Sequence, residues 1–179
     1  MMRLQDLPGE PIMWVLIASE LLVFAAGITA MAGVRLTDPA GFAAAQAQLH
    51  GWMAALNTAI LVTSGFFAAR AERACRRGDR RGARVGLALA ALGGAGFLAV
   101  KAVEYAGDLR AGLGMESHPF FTFYYLLTGF HAAHVLFGIG VLALVAIRLR
   151  TEEVQAGAAF WHMVDLVWVL LLPPVYLLG

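Results

Sequence analysis

Residues 120–147 read FFTFYYLLTGFHAAHVLFGIGVLALVAI, a run with no Lys, Arg, Asp or Glu and with two histidines near its middle. A hydrocarbon core about 30 Å thick is crossed by about 20 apolar residues in helical form. This run is long enough to span, and its two histidines then lie at membrane depth. Working outward, four more runs meet the same length. They cover about 12–34, 52–69, 85–103 and 158–178. The sequence therefore predicts an all-α integral membrane bundle of five transmembrane helices, organised as one domain over 1–179. The whole chain agrees with that reading: 60% of its 179 residues are hydrophobic and 14% charged, against about half and about a quarter in soluble globular domains.

The remaining stretches are links. Gly41 to His50 is mild Ala/Gln sequence that blurs the start of the second span. Ser19, Asn57, Thr58, Thr63, Ser64 and Thr128 interrupt the apolar runs and are tolerated where a neighbouring helix accepts their hydrogen bonds. Gly93, Gly94 and Gly96 in the third span allow close backbone approach. No Gly-rich phosphate loop, nucleophile elbow or nucleotide fingerprint exists. One cysteine, Cys75, excludes an internal disulfide. The first residues do not read as a cleaved signal, and the first run is too long for a signal h-region.

Loop charge sets the expected orientation. Between the second and third spans lie Arg70, Arg73, Arg76, Arg77, Arg80, Arg81 and Arg84. Arg148 and Arg150 fall on the same side by parity, while the opposite loops carry only Arg35 and Arg110. Short Arg-rich loops stay cytoplasmic, which places the N-terminus in the cytoplasm and the C-terminus in the periplasm. The same arginines are expected to serve topology and not to bind nucleic acid, since the loop is pinned to the membrane at both ends.

Ionisable groups at membrane depth cost roughly 2.5–3.5 kcal/mol each on insertion scales and are functional candidates by default. Glu20 lies about 12 Å into the first span. Lys101 and Glu104, His131 and His134, and His162 and Asp165 are each three residues apart, a spacing that puts each pair on one helical face. Three readings stay open at this point. The pairs are internal structural partners, with Lys101 near enough to an interface to snorkel. Or Glu20, His131, His134, His162 and Asp165 supply metal or haem ligands. Or they handle protons or ions, or recognise a lipid headgroup. Of the tryptophans, Trp14, Trp52 and Trp161 read as interface anchors and Trp168 as packing between helices. Pro173-Pro174 should kink or loosen the end of the fifth span.

Several strings occur in a recognisable order. They are Ala18-Ser19-Glu20-Leu21-Leu22-Val23-Phe24, Leu56-Asn57-Thr58 with Thr63-Ser64-Gly65, and Gly96-Phe97-Leu98 with Glu104-Tyr105. Two more specific ones follow, Thr128-Gly129-Phe130-His131-Ala132-Ala133-His134 and Phe160-Trp161-His162-Met163-Val164-Asp165-Leu166-Val167-Trp168. Together they resemble subunit III of the haem-copper oxidases, the cytochrome c oxidase subunit III family, from Glu10 onward. Larger members of that family have seven helices, and the resemblance covers only the last five. The lipid cleft that the larger members form with their first two helices is therefore not implied here. Short five-helix members include the quinol-oxidase type and the NorE type, which accompanies nitric-oxide reductases. The opening Leu7-Pro8-Gly9-Glu10-Pro11-Ile12-Met13-Trp14-Val15 is similar to the NorE start, with subunit III of a cytochrome c or quinol oxidase as the other complex the resemblance implies.

The resemblance implies an accessory respiratory subunit with no cofactor of its own and no catalytic residue. It implies a haem- and metal-bearing catalytic partner in the membrane, phospholipid contacts, and the bacterial inner membrane as location. Glu20 matches the family's carbodiimide-reactive carboxyl. Glu20, His131, His134, His162 and Asp165 would form a buried polar network serving stability, assembly or proton supply, with Lys101 and Glu104 as an ion pair. An independent carrier or proton channel built on the same buried charges is the competing class, and a haem- or metal-binding membrane enzyme a third.

Overall fold

A computed structural model describes residues 11–178. The described residues are helical, with no strand among them. Helix α1 is Pro11–Arg35, α2 Pro39–Gln46, α3 Gly51–Arg76, α4 Arg80–Arg110, α5 Pro119–Arg148 and α6 Thr151–Leu172. All but the short α2 are long and apolar enough to cross a membrane, α6 together with the turn that follows it. Leu7 to Glu10 of the NorE-like opening lie outside the described residues.

Local chemistry sets the helix ends. The Asp38 carboxylate accepts a hydrogen bond from the Gly41 N–H at 3.0 Å, and Pro39 supplies a first-turn residue with no N–H to satisfy. Asp79 caps α4 in the same way through the Gly82 N–H at 2.8 Å. The α3–α4 link turns at Gly78, whose φ of 78° lies in the left-handed region that glycine adopts without Cβ strain. Pro173 and Pro174 cannot donate to the helical ladder. The chain accordingly widens into a π-helical turn, Pro173–Leu177, closed by the Leu178 N–H on the Pro173 carbonyl at 2.9 Å.

Helices α3 and α4 form the most extensive helix pair, α6 lies against α1, α3 and α5, and α1 touches only α5 and α6 substantially. α1 is the least buried span and α6 the most. Glycines permit the tight α3–α4 contact. A Cβ on Gly93 would sit 2.6 Å from the Ser64 Cβ, and one on Gly86 would sit 2.8 Å from the Ala71 Cβ. The short α2 buries Phe42, Ala45 and Gln46 and packs on the start of α5, with the Phe42 and Phe120 rings 5.9 Å apart.

The structure corrects several sequence expectations. Helix α3 runs past Ala69 to Arg76, α4 begins at Arg80, and α6 begins at Thr151, seven residues before Ala158. Of the seven arginines assigned to a loop, only Arg77 lies between helices. Hydropathy marks the width of the hydrocarbon layer, whereas a helix continues into the headgroup region until a cap stops it. The first part of the Ala/Gln stretch, Gly41 to Gln46, is helical and belongs to α2. Trp161 is not an interface anchor: it is fully buried, and its indole N–H donates to the Ser64 hydroxyl at 2.9 Å. Lys101 does not snorkel, because the interior of the bundle gives its ammonium better partners than the interface would.

Candidate functional site

The ionisable groups fall into three places. The first is the seam of α1 and α5. His134 Nε2 lies 3.0 Å from Glu20 Oε2, and His134 Nδ1 lies 2.8 Å from the Phe130 carbonyl. A carbonyl only accepts, so Nδ1 must carry a proton. One further proton is then shared between Nε2 and the carboxyl, which makes the pair either a carboxylate–imidazolium or an acid–imidazole contact. The Phe24 and Phe130 rings lie 5.6 and 4.6 Å from the imidazole. The pair is partly open to the membrane, with side-chain exposures of 25% for Glu20 and 15% for His134.

One turn earlier, His131 is fully enclosed. Its ring lies among those of Phe97 at 5.3 Å, Trp168 at 5.4 Å and Phe24 at 6.4 Å. Neither ring nitrogen finds a hydrogen-bond partner among the described residues, and neither does the side-chain amide of Asn57. Trp168, by contrast, donates its indole N–H to the Thr58 hydroxyl at 3.0 Å.

The second place is a charged cluster toward the C-terminal ends of α4 and α6 and the start of α5. Lys101, Glu104 and Asp108 are each 2% exposed. The Lys101 ammonium donates to Glu104 Oε2 at 3.0 Å, to the Tyr176 hydroxyl at 3.0 Å and to the Tyr124 hydroxyl at 3.2 Å. All three of its donors are used. The Tyr176 hydroxyl donates to Glu104 Oε1 at 2.8 Å, and Tyr124 donates to Asp108 Oδ2 at 3.0 Å. The ammonium also lies 4.6 Å from the Tyr105 ring centre and 4.7 Å from that of Tyr124, within cation–π range. Tyr105 and Thr128 share a hydrogen bond of 2.6 Å beside it.

The third place is the α3–α6 seam. His162 Nδ1 lies 3.7 Å from Asp165 Oδ2. A Cβ on Gly65 would fall 2.3 Å from that oxygen, so only glycine leaves room for the carboxylate. His162 is exposed, with 45% of its side chain open.

Among the described residues, no hydrogen bond links the Glu20–His134 pair to His131, or either of these to His162 and Asp165. Of the five residues expected in one network, Glu20, His134 and His131 lie around Phe24 in the first place, and His162 and Asp165 in the third. Sequence reasoning also missed Asp108, Tyr124 and Tyr176. Asp108 was findable: it lies four residues beyond Glu104 and seven beyond Lys101, on the same helical face. The two tyrosines carry no such local signal. Among the described residues no group of three or more His, Cys, Asp or Glu side chains is placed to hold a metal ion.

The family model described as cytochrome c oxidase subunit III matches residues 12–179. The chain belongs to the cytochrome c oxidase subunit III family. It is therefore a multi-pass membrane protein. Its subunit III relatives include the cytochrome c oxidase subunit 3 of Synechocystis, 30% identical over 90% of this chain and 72% of the relative. That of Corynebacterium diphtheriae is 34% identical over 88% of this chain and 82% of the relative. A haem-copper oxidase subunit I+III of Aeropyrum pernix is 30% identical over 92% of this chain and 22% of its own length.

Proposed function

We propose that this chain is an accessory subunit III of a haem-copper oxidase superfamily complex, one domain over residues 1–179, seated in a bacterial inner membrane beside a haem- and metal-bearing catalytic subunit. The observation that carries the reading is the Aeropyrum pernix relative, whose name joins subunits I and III in one polypeptide and whose alignment covers 92% of this chain. The chain brings no redox group of its own to that complex; its residues stabilise the partner and exchange protons near it, with phospholipids filling its membrane-facing surface. The similarity of Leu7 to Val15 to the NorE type favours a nitric-oxide reductase as the enzyme served.

Glu20 and His134 support the proton-exchange part of the reading, because a single shared proton between a carboxyl and an imidazole moves with little rearrangement. Affinity purification through this chain from mild detergent should bring down a haem-bearing membrane subunit in stoichiometric amount. In that complex, Glu20→Gln replaces the shared proton by a fixed amide, and the expected result is inactivation within fewer turnovers than the parent complex. Unchanged turnover and unchanged lifetime would sink the functional role of Glu20. An independent proton channel predicts the opposite purification result, a chain recovered without a haem-bearing partner.

The orientation reading gives a separate expectation. With the N-terminus cytoplasmic, the α3–α4 link is inside and the α4–α5 link outside. An impermeant maleimide applied to intact cells should label Met115→Cys, at a position 43% exposed, and leave Arg81→Cys unlabelled, both in a Cys75→Ser background. The reverse pattern would invert the topology.

A further inference from the structure

We infer that the groove between α3 and α4 holds one acyl chain of an anionic phospholipid, with Arg70 and Arg81 binding its headgroup. The inference gives the phospholipid contact proposed above a place and a charge, and it needs nothing of the catalytic partner. The groove has a volume of about 440 Å³ and is lined by Ala59, Thr63 and Phe67 of α3 and by Leu89, Leu92 and Gly96 of α4. Its floor is the close approach of Gly93 to Ser64. Small residues at 59, 93 and 96 leave out the side chains that would fill it. From Ala59 to Phe67 it runs about 12 Å along α3 at 1.5 Å per residue. The apolar run of α3 ends at Ala69 and that of α4 begins at Val85. The groove therefore lies within one half of a hydrocarbon layer about 30 Å thick, next to the α3–α4 link. A partner's transmembrane helix is about 10–12 Å across and runs the full depth of that layer. A groove confined to one leaflet fits a lipid chain instead.

Charge names the headgroup. The stripe of Thr63 and Phe67 on α3 continues at helical spacing to Arg70, and the stripe of Leu92, Leu89 and Val85 on α4 continues to Arg81. Both arginines are exposed. Other arginines at this end of the bundle already have acceptors in the protein. Arg73 donates to the Ala69 carbonyl, Arg76 to Glu72 and Arg84 to the Ala146 carbonyl, while Arg148 and Arg150 face Glu153. Arg70 and Arg81 have no acceptor among the described residues. The nearby acids are engaged elsewhere, Glu72 by Arg76 and Asp79 as the cap of α4. A guanidinium matches phosphate oxygens bidentately, and basic side chains beside a membrane attract anionic lipid. Two cations without a counter-charge favour a headgroup of net negative charge over a zwitterionic one.

The test is lipid mass spectrometry of the tagged chain purified in mild detergent with whatever it binds. One anionic phospholipid per chain should survive purification, enriched over its share of the membrane. Arg70→Gln with Arg81→Gln should weaken its retention about thirtyfold, the value of two basic side chains at a membrane surface. Arg70→Lys with Arg81→Lys should keep most of it. Ala59→Phe puts a ring into the groove from an exposed position and should expel the lipid with both arginines in place. Arg80→Gln with Arg150→Gln removes the same charge from elsewhere at this end and should change nothing. An equal loss from that second pair would reduce the effect to surface charge and overturn the inference. So would retention unchanged by either Arg70→Gln with Arg81→Gln or Ala59→Phe, or a retained molecule that is zwitterionic or uncharged. A benzophenone amino acid at Leu92, photolysed in native membranes, should give lipid adducts. Adducts there to a second copy of this chain or to a haem-bearing subunit would mean that protein covers the groove, and would overturn the inference as well. That labelling leaves the arginines unaltered, so it stays decisive where another variant fails to accumulate. Co-purification of a haem-bearing subunit decides the proposed function separately, and neither result fixes the other.

Discussion

Replacing Lys101 by Met should lower the thermal midpoint of the complex more than removal of any other charge in this chain. The ammonium is enclosed and spends its three donors on Glu104, Tyr124 and Tyr176. Methionine matches the length of the stem but leaves the enclosed Glu104 carboxylate without its cationic partner, and Asp108, held by the Tyr124 hydroxyl, without a nearby positive charge. Removing one partner of a buried pair costs about 3–5 kcal/mol, and about 2–4 °C accompanies each kcal/mol in a chain of this size. A fall of roughly 10 °C is therefore expected by tryptophan fluorescence in detergent. Adding Glu104→Gln to Lys101→Met should recover part of that loss, because it removes the charge left behind, so the two changes are expected to couple strongly in a double-mutant cycle. A Lys101→Met complex melting within about a degree of the parent would mean the cluster is hydrated and the account of it wrong.

That cluster also marks the limit of what one sequence reveals. Membrane spans are legible because each is a local property, a length of apolar sequence set by the bilayer. The pairing of Lys101 with Glu104 is visible for the same reason, since both lie on one turn of one helix. Tyr124 and Tyr176 reach the ammonium from 23 and 75 positions away, and no spacing rule within a helix points to them. Whether a polar side chain faces the interior or the membrane is likewise a property of neighbouring helices. His131 and His134 sit three apart on the same turn, yet one is enclosed by rings from α1, α4 and α6 while the other is paired at the rim with Glu20. His162 has a spacing to Asp165 that resembles the other pairs, and still it opens outward. Helix ends are the remaining gap. Asp79 and Asp38 are recognisable caps in the sequence, but a reading led by hydropathy stops at the edge of the apolar run and misses the turns beyond it.

Trp161 supplies the second large effect, one that follows from its burial and not from any charge. Its indole lies between two glycines. A Cβ on Gly94 would meet ring carbons at 2.5 and 3.0 Å, and a Cβ on Gly138 would meet two of them at 2.8 Å. Trp161→Ala should therefore cost about 3–5 kcal/mol, the usual range for emptying a large aromatic site. Trp161→Phe should cost less, losing the indole bond to Ser64 and part of the volume. Gly138→Ala alone overpacks the site and should cost about 1–3 kcal/mol. In the Trp161→Ala background the same methyl enters vacated space, so its effect should vanish or turn stabilising. The sign reversal is the decisive reading, measured as the four thermal midpoints of the cycle. If Gly138→Ala costs the same with and without the indole, the methyl and the ring never met, and the close fit of α5 on α6 is not what positions Trp161. A reversal would explain why three small residues, Gly94, Gly138 and Ser64, surround one of the largest side chains at the centre of a bundle. The indole takes the volume that they leave, and its N–H takes the hydroxyl that would otherwise lack a donor.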